Sequence, residues 1–301
     1  MSHAAALIRA GKLVAFPTET VYGLGANALD AQAVARIFEV KGRPRTSPLI
    51  VHVDSIEMAR GLAAEWPPAA EALARRFWPG PLTLVARKAA HVPDVVTAGL
   101  ATVGIRVPSH PIALALIREA GVPIAAPSAN RFTELSPTTA EHVRRSLGAE
   151  VDCVLDGGAA AVGIESTVLS VAGGRLLLLR PGTIPLPDIE VIAGPVSIVS
   201  EAPEGPHASP GMHTRHYRPR TPLVLLRPGD PDPPGKGVRL SLMSPAAHGI
   251  RMPYDPLRYA ALLYQTLHRL DQEGWEWIAV EEPPDEPAWA GVRDRLRRAA
   301  R

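Results

Sequence analysis

A chain of 301 residues is long enough for one large domain or two ordinary ones. Its hydrophobic content of 46% and charged content of 21% are those of a soluble globular protein, and no apolar run approaches the ~20 residues that span a membrane. A net charge of +2 is too small for a protein that coats nucleic acid, so any polyanion site must be local. Cys153 is the only cysteine, which excludes an internal disulfide and a zinc ribbon. It suits a reducing cytosol, and the first residues lack the basic and apolar regions of a secretory signal, so a cytoplasmic protein is expected.

In chain order, Lys12 to Phe16 is a short apolar strand, followed by a polar turn carrying Thr18 and Thr20. Gly23 to Ala28 formally matches a dinucleotide fingerprint. It sits several residues past the strand and the next helix begins only near Asp30, so it reads as tight-turn glycines. Asp30 can cap a helix with Ala33, Val34, Ile37 and Phe38 on one face, ending at Lys41 with Gly42 past the end. Lys41 to Arg45 then places three cations within five residues, ahead of Pro48 and a strand over Leu49 to Val53 that carries His52. This is a positive loop between helix and strand, suited to an anion. Taken alone, a solvated basic turn explains it better.

Asp54 to Glu57 reads as a capping box opening a helix, and Pro67 to Phe77 as a second helix broken by Trp78 to Pro81. Strands follow at Leu82 to Arg87 and at Thr102 to Val107, the latter carrying Arg106. His110 to Ala120 is a helix with Gly121 at its end, and Ile124 leads into a loop holding Ser128 and Asn130. Thr138 to Leu147 is an amphipathic helix with Pro137 at its first turn. Val151 to Leu155 is a strand that would bury the Cys153 thiol. Ser166 to Val171 and Arg175 to Arg180 form a hairpin across Gly173 and Gly174. Strands and helices alternate irregularly, which predicts a mixed α/β sheet rather than a doubly wound one.

From Pro185 to Pro222 prolines and glycines are frequent and no long periodic segment appears. The segment Ser209 to Tyr217 within it is too patterned for a plain spacer and reads as an active-site cover. His213 and His216 lack an obvious third metal ligand. A second, small α/β unit follows. It has strands at Leu223 to Leu226, Val238 to Leu242 and Glu276 to Val280. A long helix over Pro256 to Glu273 presents Leu257, Ala261, Tyr264 and Leu267, and a last helix covers Trp289 to Ala300. Gly229 to Lys236 lacks P-loop spacing, and its prolines remove the amides a phosphate cradle needs. The expected division is 1–187, a linker or lid at 188–221, and 222–301, the last docking on the first because it is small for an independent core.

Polar groups stand at the ends of apolar strands: Thr18, Thr20, Arg106, Ser128, Asn130, Ser166, Thr167 and Arg180. Strand ends facing one crevice are where open α/β sheets bind ligands. Cations and hydroxyls without a nucleophile or metal cage point to nucleotide chemistry driven by positioning and charge.

Seven blocks in order resemble the threonylcarbamoyl-AMP synthases, the YrdC-like family: Pro17 to Gly25, Lys41-x-Arg43, Pro48 to His52, Phe77 to Thr83, Ala126 to Asn130, Glu165 to Val168, and Leu179 to Gly182. Ser209 to Met212, then His216, Tyr217 and the trailing α/β unit, resemble the long two-domain form. The resemblance implies a YrdC-like twisted mixed sheet with helices around a large positive cavity, plus a small Rossmann-like C-terminal domain. It implies a nucleotidyltransferase making L-threonylcarbamoyl-adenylate from L-threonine, bicarbonate or CO2, and ATP, for modification of adenosine 37 in tRNA. By this resemblance Thr20, His52, Arg106, Ser166 and the backbone near Ala126 hold threonine. Arg43, Ser47, Thr102, Ser128, Asn130, Ser136, Arg180 and Tyr217 hold ATP. Lys41 and Arg43 carry catalysis, neutralising phosphate charge with Arg180.

Mg2+ is expected to ride on the β- and γ-phosphates, with Glu19, Asp156 and Glu165 as candidate ligands and no structural metal bound by the protein. The implied partners are tRNA and the proteins that transfer the threonylcarbamoyl group onward, with no membrane. The chain departs from the pattern at Ser47, where relatives often carry asparagine, and in a second unit shorter than expected. Two other readings compete. One is an RNA-binding module without catalysis. The other is a hydrogenase-maturation carbamoyl-adenylating domain, which shares the fold but carries zinc-finger modules that a single cysteine cannot build.

Overall fold

The computed structural model describes residues 1–199, 217–242 and 249–300. Most of the expected cover, Ser209 to His216, lies outside the described residues, and so do His213 and His216; Tyr217 lies within them.

The first unit begins with α1 (Ser2–Arg9), β1 (Val14–Phe16), β2 (Gly23–Asn27), α2 (Ala31–Lys41) and β3 (Ile50–His52). It continues through α3 (Ile56–Leu62), α4 (Pro68–Phe77), β4 (Leu82–Arg87), α5 (Asp94–Thr97), β5 (Thr102–Arg106), α6 (Pro111–Ala120) and β6 (Ile124–Ala125). It closes with α7 (Ala140–Leu147), β7 (Cys153–Val154), β8 (Thr167–Ser170), β9 (Leu177–Arg180), α8 (Leu186–Ala193) and β10 (Ser197–Ile198). The strands form one sheet in the order β10-β9-β8-β4-β5-β3-β6-β2-β1-β7. Parallel and antiparallel neighbours mix: β3 runs parallel to β5 and antiparallel to β6, and β4 runs antiparallel to β5 and parallel to β8.

The caps explain why several boundaries are sharp. Asp30 accepts the amides of Gln32 and Ala33 at the start of α2, and Gly42 ends it in the left-handed conformation. His110 caps α6 through its ring nitrogen, and Gly121 ends that helix in the same way. Other boundaries move. Ser55, not Asp54, caps α3 by accepting the Met58 amide. Thr139 caps α7, so Pro137 precedes the helix rather than occupying its first turn. Cys153 is half-buried instead of buried, because β7 is an edge strand.

Several elements have no counterpart in the sequence reading of their stretches, β2, α8 and β10 among them. Gly23 to Asn27 is an interior strand, paired antiparallel with β1 and β6. A Cβ on Gly25 would come within 2.7 Å of the Phe16 ring and 2.8 Å of Ile124, so the glycine that argues against a strand permits this close packing. The antiparallel pairing also confirms that this stretch is not a dinucleotide-binding turn. Downstream, α8 and β10 occupy part of the proline-rich stretch; α8 crosses the expected 187/188 junction, and β10 extends the sheet beside β9.

The second unit contains β11 (Leu223–Leu226), β12 (Gly237–Ser241), β13 (Gly249–Arg251), α9 (Pro256–Leu270), β14 (Trp277–Glu281) and α10 (Ala290–Ala299). Its sheet, β11-β14-β12-β13, is wholly parallel. The buried face of α9 is Tyr259, Ala260, Leu263, Tyr264, Leu267 and Leu270, whereas Leu257 is 59% exposed. The face is therefore rotated from the one expected. The hydrophobic core of this unit includes Val21, Leu135 and Ile164 from the first, so the two units share one apolar seam.

Candidate active site

The register of the sheet builds one end of the site. His52 and Arg106 are direct partners where β3 and β5 end side by side. The turn after β1 brings Thr20 across to them. Arg106 donates from Nη1 to Thr20 Oγ1 at 2.8 Å and from Nε to the Gly80 carbonyl at 3.1 Å. Its Nη2 lies 2.7 Å from Glu19 Oε1 in a buried ion pair. Since Thr18 Oγ1 donates to the Val21 carbonyl, the Thr18–Thr20 contact at 2.8 Å has Thr20 as donor. Arg106 is thus held by two hydrogen bonds and an ion pair, with N–H groups on its terminal nitrogens left over. Burial, followed by the adjacent Arg106 charge, pulls the His52 imidazole down to about 3. Its buried Nδ1 has no hydrogen-bond partner among the described residues, so a neutral ring stands ready for a ligand.

The other end is cationic. Burial lowers Arg43 to about 10, with Arg180 pushing the same way. Its Nη2 donates to Ser47 Oγ at 2.5 Å and to the Pro48 carbonyl at 3.0 Å, and its Nε to the Ser47 carbonyl at 3.3 Å. Arg180 donates from Nε to the Ser166 carbonyl at 3.1 Å and from Nη2 to Ser166 Oγ at 3.2 Å. The Ser166 hydroxyl also lies 2.8 Å from Thr83 Oγ1.

A narrow cavity of about 50 Å³ lies between the two ends. Its lining includes Thr20, Arg43, His52, Arg106, Ala126, Ser128, Ser166, Arg180 and Tyr217, nine of the expected residues. The volume falls below the ~300–1,000 Å³ of most small-molecule sites, so a nucleotide requires the walls to stand further apart.

The remaining expected residues lie behind the lining. Lys41 is buried; its Nζ donates to the Ser128 carbonyl at 2.6 Å and also to the Asn130 carbonyl. Burial, with Arg43 adding to it, holds its pKa well below the ordinary lysine range. Here Lys41 ties the Ser128–Asn130 loop to the end of α2 and leaves the cavity surface to Arg43. Asn130 donates to the Arg131 and Glu134 carbonyls, both at 2.9 Å, bracing the same loop. Ser47 clamps Arg43. Ser136 donates to Glu165 Oε1 at 2.5 Å and is fully buried. Thr102 begins β5, four residues from Arg106, or about 13 Å along a strand. The structure does not bring it to the cavity.

The candidate metal ligands do not form a cage. Glu19 is paired with Arg106, Glu165 with Arg295 at 2.6 Å, and Asp156 faces Arg144 at 3.8 Å on the surface. No trio of potential ligands occurs among the described residues. Sequence reasoning named Glu19 and Glu165 as candidate metal ligands and missed their ion pairs with Arg106 and Arg295. Glu19 and Glu165 adjoin the flagged Thr20 and Ser166, but only folding reveals their arginines.

Known proteins share this architecture. Residues 6–182 match the Sua5–YciO–YrdC family, described as telomere recombination, and residues 184–301 match the threonylcarbamoyl-AMP synthase C-terminal domain. The threonylcarbamoyl-AMP synthase of Pyrococcus abyssi is 42% identical, over 99% of this chain and 93% of that protein. That of Bacillus subtilis is also 42% identical, over 100% of this chain and 92% of its own length. The crystal structure of P. abyssi Sua5 complexed with L-threonine superposes with a TM-score of 0.92 at 42% identity, covering 99% of this chain and 93% of that one. The chain belongs to the threonylcarbamoyl-AMP synthase family, in the two-unit form that carries the C-terminal domain.

Proposed function

We infer that this chain is an L-threonylcarbamoyladenylate synthase, converting L-threonine, bicarbonate or CO2, and ATP to threonylcarbamoyl-AMP and pyrophosphate. The observation that carries this reading is the His52–Arg106 pair, set beside Thr20, facing Arg43 and Arg180 across one cavity. A small zwitterion fits the first end. Arg106 offers its remaining N–H groups to the carboxylate, and the neutral His52 ring and Thr20 offer partners to the amine and side-chain hydroxyl. The polyphosphate belongs with Arg43 and Arg180, and ATP enters as its Mg2+ complex, the metal held by phosphate oxygens.

The chemistry follows from this placement. The neutral threonine amine adds to CO2, a proton leaves, and a carbamate forms. A carbamate oxygen attacks the α-phosphorus in line with departing pyrophosphate, a nucleotidyl transfer. Both reacting groups are anions, so the arginines lower the cost of their approach and stabilise the charge that grows on the leaving group. The neutral state of His52 matters because an imidazolium would repel the threonine ammonium. A carbamate is short-lived in water, so a narrow cavity favours its survival. The mixed anhydride formed suits transfer of threonylcarbamoyl to an amine, which on this reading is N6 of adenosine 37 in tRNA.

Pyrophosphate release from ATP is expected to require both L-threonine and bicarbonate. Turnover that persists with threonine omitted refutes this function. tRNA binding without any pyrophosphate release favours the RNA-binding module instead.

A further inference from the structure

Glu165 lies where the two units meet, and its carboxylate is committed on both oxygens. Oε1 accepts the Ser136 hydroxyl at 2.5 Å. Oε2 accepts Arg295 Nε at 2.6 Å and the Tyr264 hydroxyl at 3.2 Å. Ser136 belongs to the first unit; Arg295 and Tyr264 come from α10 and α9 of the second. Arg295 also donates from Nη2 to the Glu165 carbonyl at 3.1 Å and from Nη1 to the Pro181 carbonyl at 2.9 Å. One side chain, 1% exposed, therefore grips the residue before Ser166 and the residue after Arg180. Its guanidinium carbon lies 5.4 Å from the centre of the Tyr217 ring, which lines the cavity, and Tyr217 lies 5.9 Å from the Tyr264 ring.

The contact is rigid because backbone meets backbone. A Cβ on Gly291 of α10 would fall 2.4 Å from the Gly182 carbonyl oxygen, and one on Gly163 would fall 2.4 Å from the Ala260 carbonyl oxygen of α9. Burial alone would push the Glu165 carboxyl upward, but Arg295 and then Arg180 hold it below the ordinary carboxylate value, so it stays charged. A charged Glu165 accepts the hydrogen bond of the Ser136 hydroxyl and fixes that residue.

We propose that Arg295 and Tyr264 are positioning residues for the nucleotide side of the active site, acting through Glu165 on Ser136, Arg180 and the ring of Tyr217. The C-terminal unit is then a working part of ATP recognition. The Arg106 end of the threonine side is anchored independently, since Thr20, Glu19 and Gly80 hold Arg106, whereas Ser166 is shared between Thr83 and Arg180. The proposal rests on the function inferred above, and it predicts an effect on one substrate only.

The test uses full-length protein and initial rates of pyrophosphate release, varying ATP and threonine separately at saturating bicarbonate. The set is wild type, Tyr264→Phe, Arg295→Lys, Ser136→Ala and the Ser136→Ala/Arg295→Lys double variant. Lysine keeps the charge at 295 but cannot reproduce the fork that reaches Glu165 and Pro181 together. Arg295→Lys is expected to raise the KM for ATP about tenfold and Tyr264→Phe about threefold, with the threonine KM changed less than twofold. The double variant is expected to fall well short of the product of the single effects, because both act through Glu165. Parallel rises in both KM values, an unchanged ATP KM in both Arg295→Lys and Tyr264→Phe, or full additivity overturns the proposal. If Arg295→Lys fails to fold, Tyr264→Phe decides: a raised ATP KM at the wild-type melting temperature supports it, and an unchanged one refutes it. Failure of the underlying function shows separately, as wild-type turnover without threonine.

Discussion

Arg106 cannot be removed cleanly, because Glu19 shares its burial at 2.7 Å. Arg106→Ala alone strands a buried carboxylate, at a cost of about 3–5 kcal/mol of stability. Combined with Glu19→Gln, the stranded charge is gone and the role of Arg106 becomes readable. The pair of substitutions is expected to raise the threonine KM by about 10- to 150-fold, the range for a lost charged hydrogen bond, while the ATP KM changes little. Denaturant unfolding and steady-state kinetics on both variants check this, and an unchanged threonine KM removes Arg106 from substrate binding. At this scale the sequence shows which residues sit at strand ends but not what holds them. His52, Arg106, Ser166 and Arg180 stand out because a polar group ending an apolar strand is conspicuous. The roles of Lys41, Ser47, Asn130 and Ser136 as supports behind the lining depend on side-chain directions that spacing does not encode. Ser47 shows the difference: its departure from the family pattern raised the question of an ATP contact, and the structure finds it clamping Arg43.

Between α7 and α9 two histidines stack, His142 and His268, with ring centres 3.8 Å apart and planes inclined by 24°. The partner of His142 defines that ring as neutral, because its Nδ1 accepts. His142 Nδ1 accepts the Thr138 amide at 3.3 Å, and His268 Nε2 donates to the Ser136 carbonyl at 3.0 Å. Burial lowers both; His268 and Arg145 further lower His142, which falls to about 3, while Asp271 and Glu134 partly offset the fall of His268. A histidine whose folded value lies below the ordinary 6.5 contributes stability that is present above that pH and lost as pH falls toward the folded value. The melting temperature is therefore expected to drop between pH 6.5 and 4. His142→Asn keeps an acceptor facing the Thr138 amide but cannot charge, so its profile is expected to be flatter; superimposable profiles rule out His142 as the cause. Elements with their own caps, such as α2 and α6, were legible in the sequence. The strand β2 was hidden by glycines whose purpose is close packing, and the buried face of α9 was misjudged because the first unit covers part of it.

Val21, Leu135 and Ile164 lie in the same core as Leu240, Tyr264 and Leu296, so the two units do not have separate interiors. A chain cut after residue 199 uncovers those three side chains and deprives Glu165 of Arg295. It is expected to melt at least about 5 °C below the full chain and to bind ATP more weakly. Calorimetry and nucleotide titration of the shortened protein test this, and equal melting temperatures mean that the units are independent. The change in texture after Pro185 revealed two units in the sequence, but nothing local announces that they touch at Glu165. No helix among the described residues is long and apolar enough to cross a membrane.

The Glu165–Arg295 contact joins positions 130 residues apart. During synthesis at ~5–20 residues per second, Glu165 emerges ~7–26 s before Arg295. For that interval Glu165 has neither its arginine nor Tyr264, and the wall carrying Ser136 and Tyr217 is unfinished. On the proposed role of Arg295, full affinity for ATP therefore arrives late, once the final helix has docked, and the nascent chain handles ATP more weakly until its fold is complete.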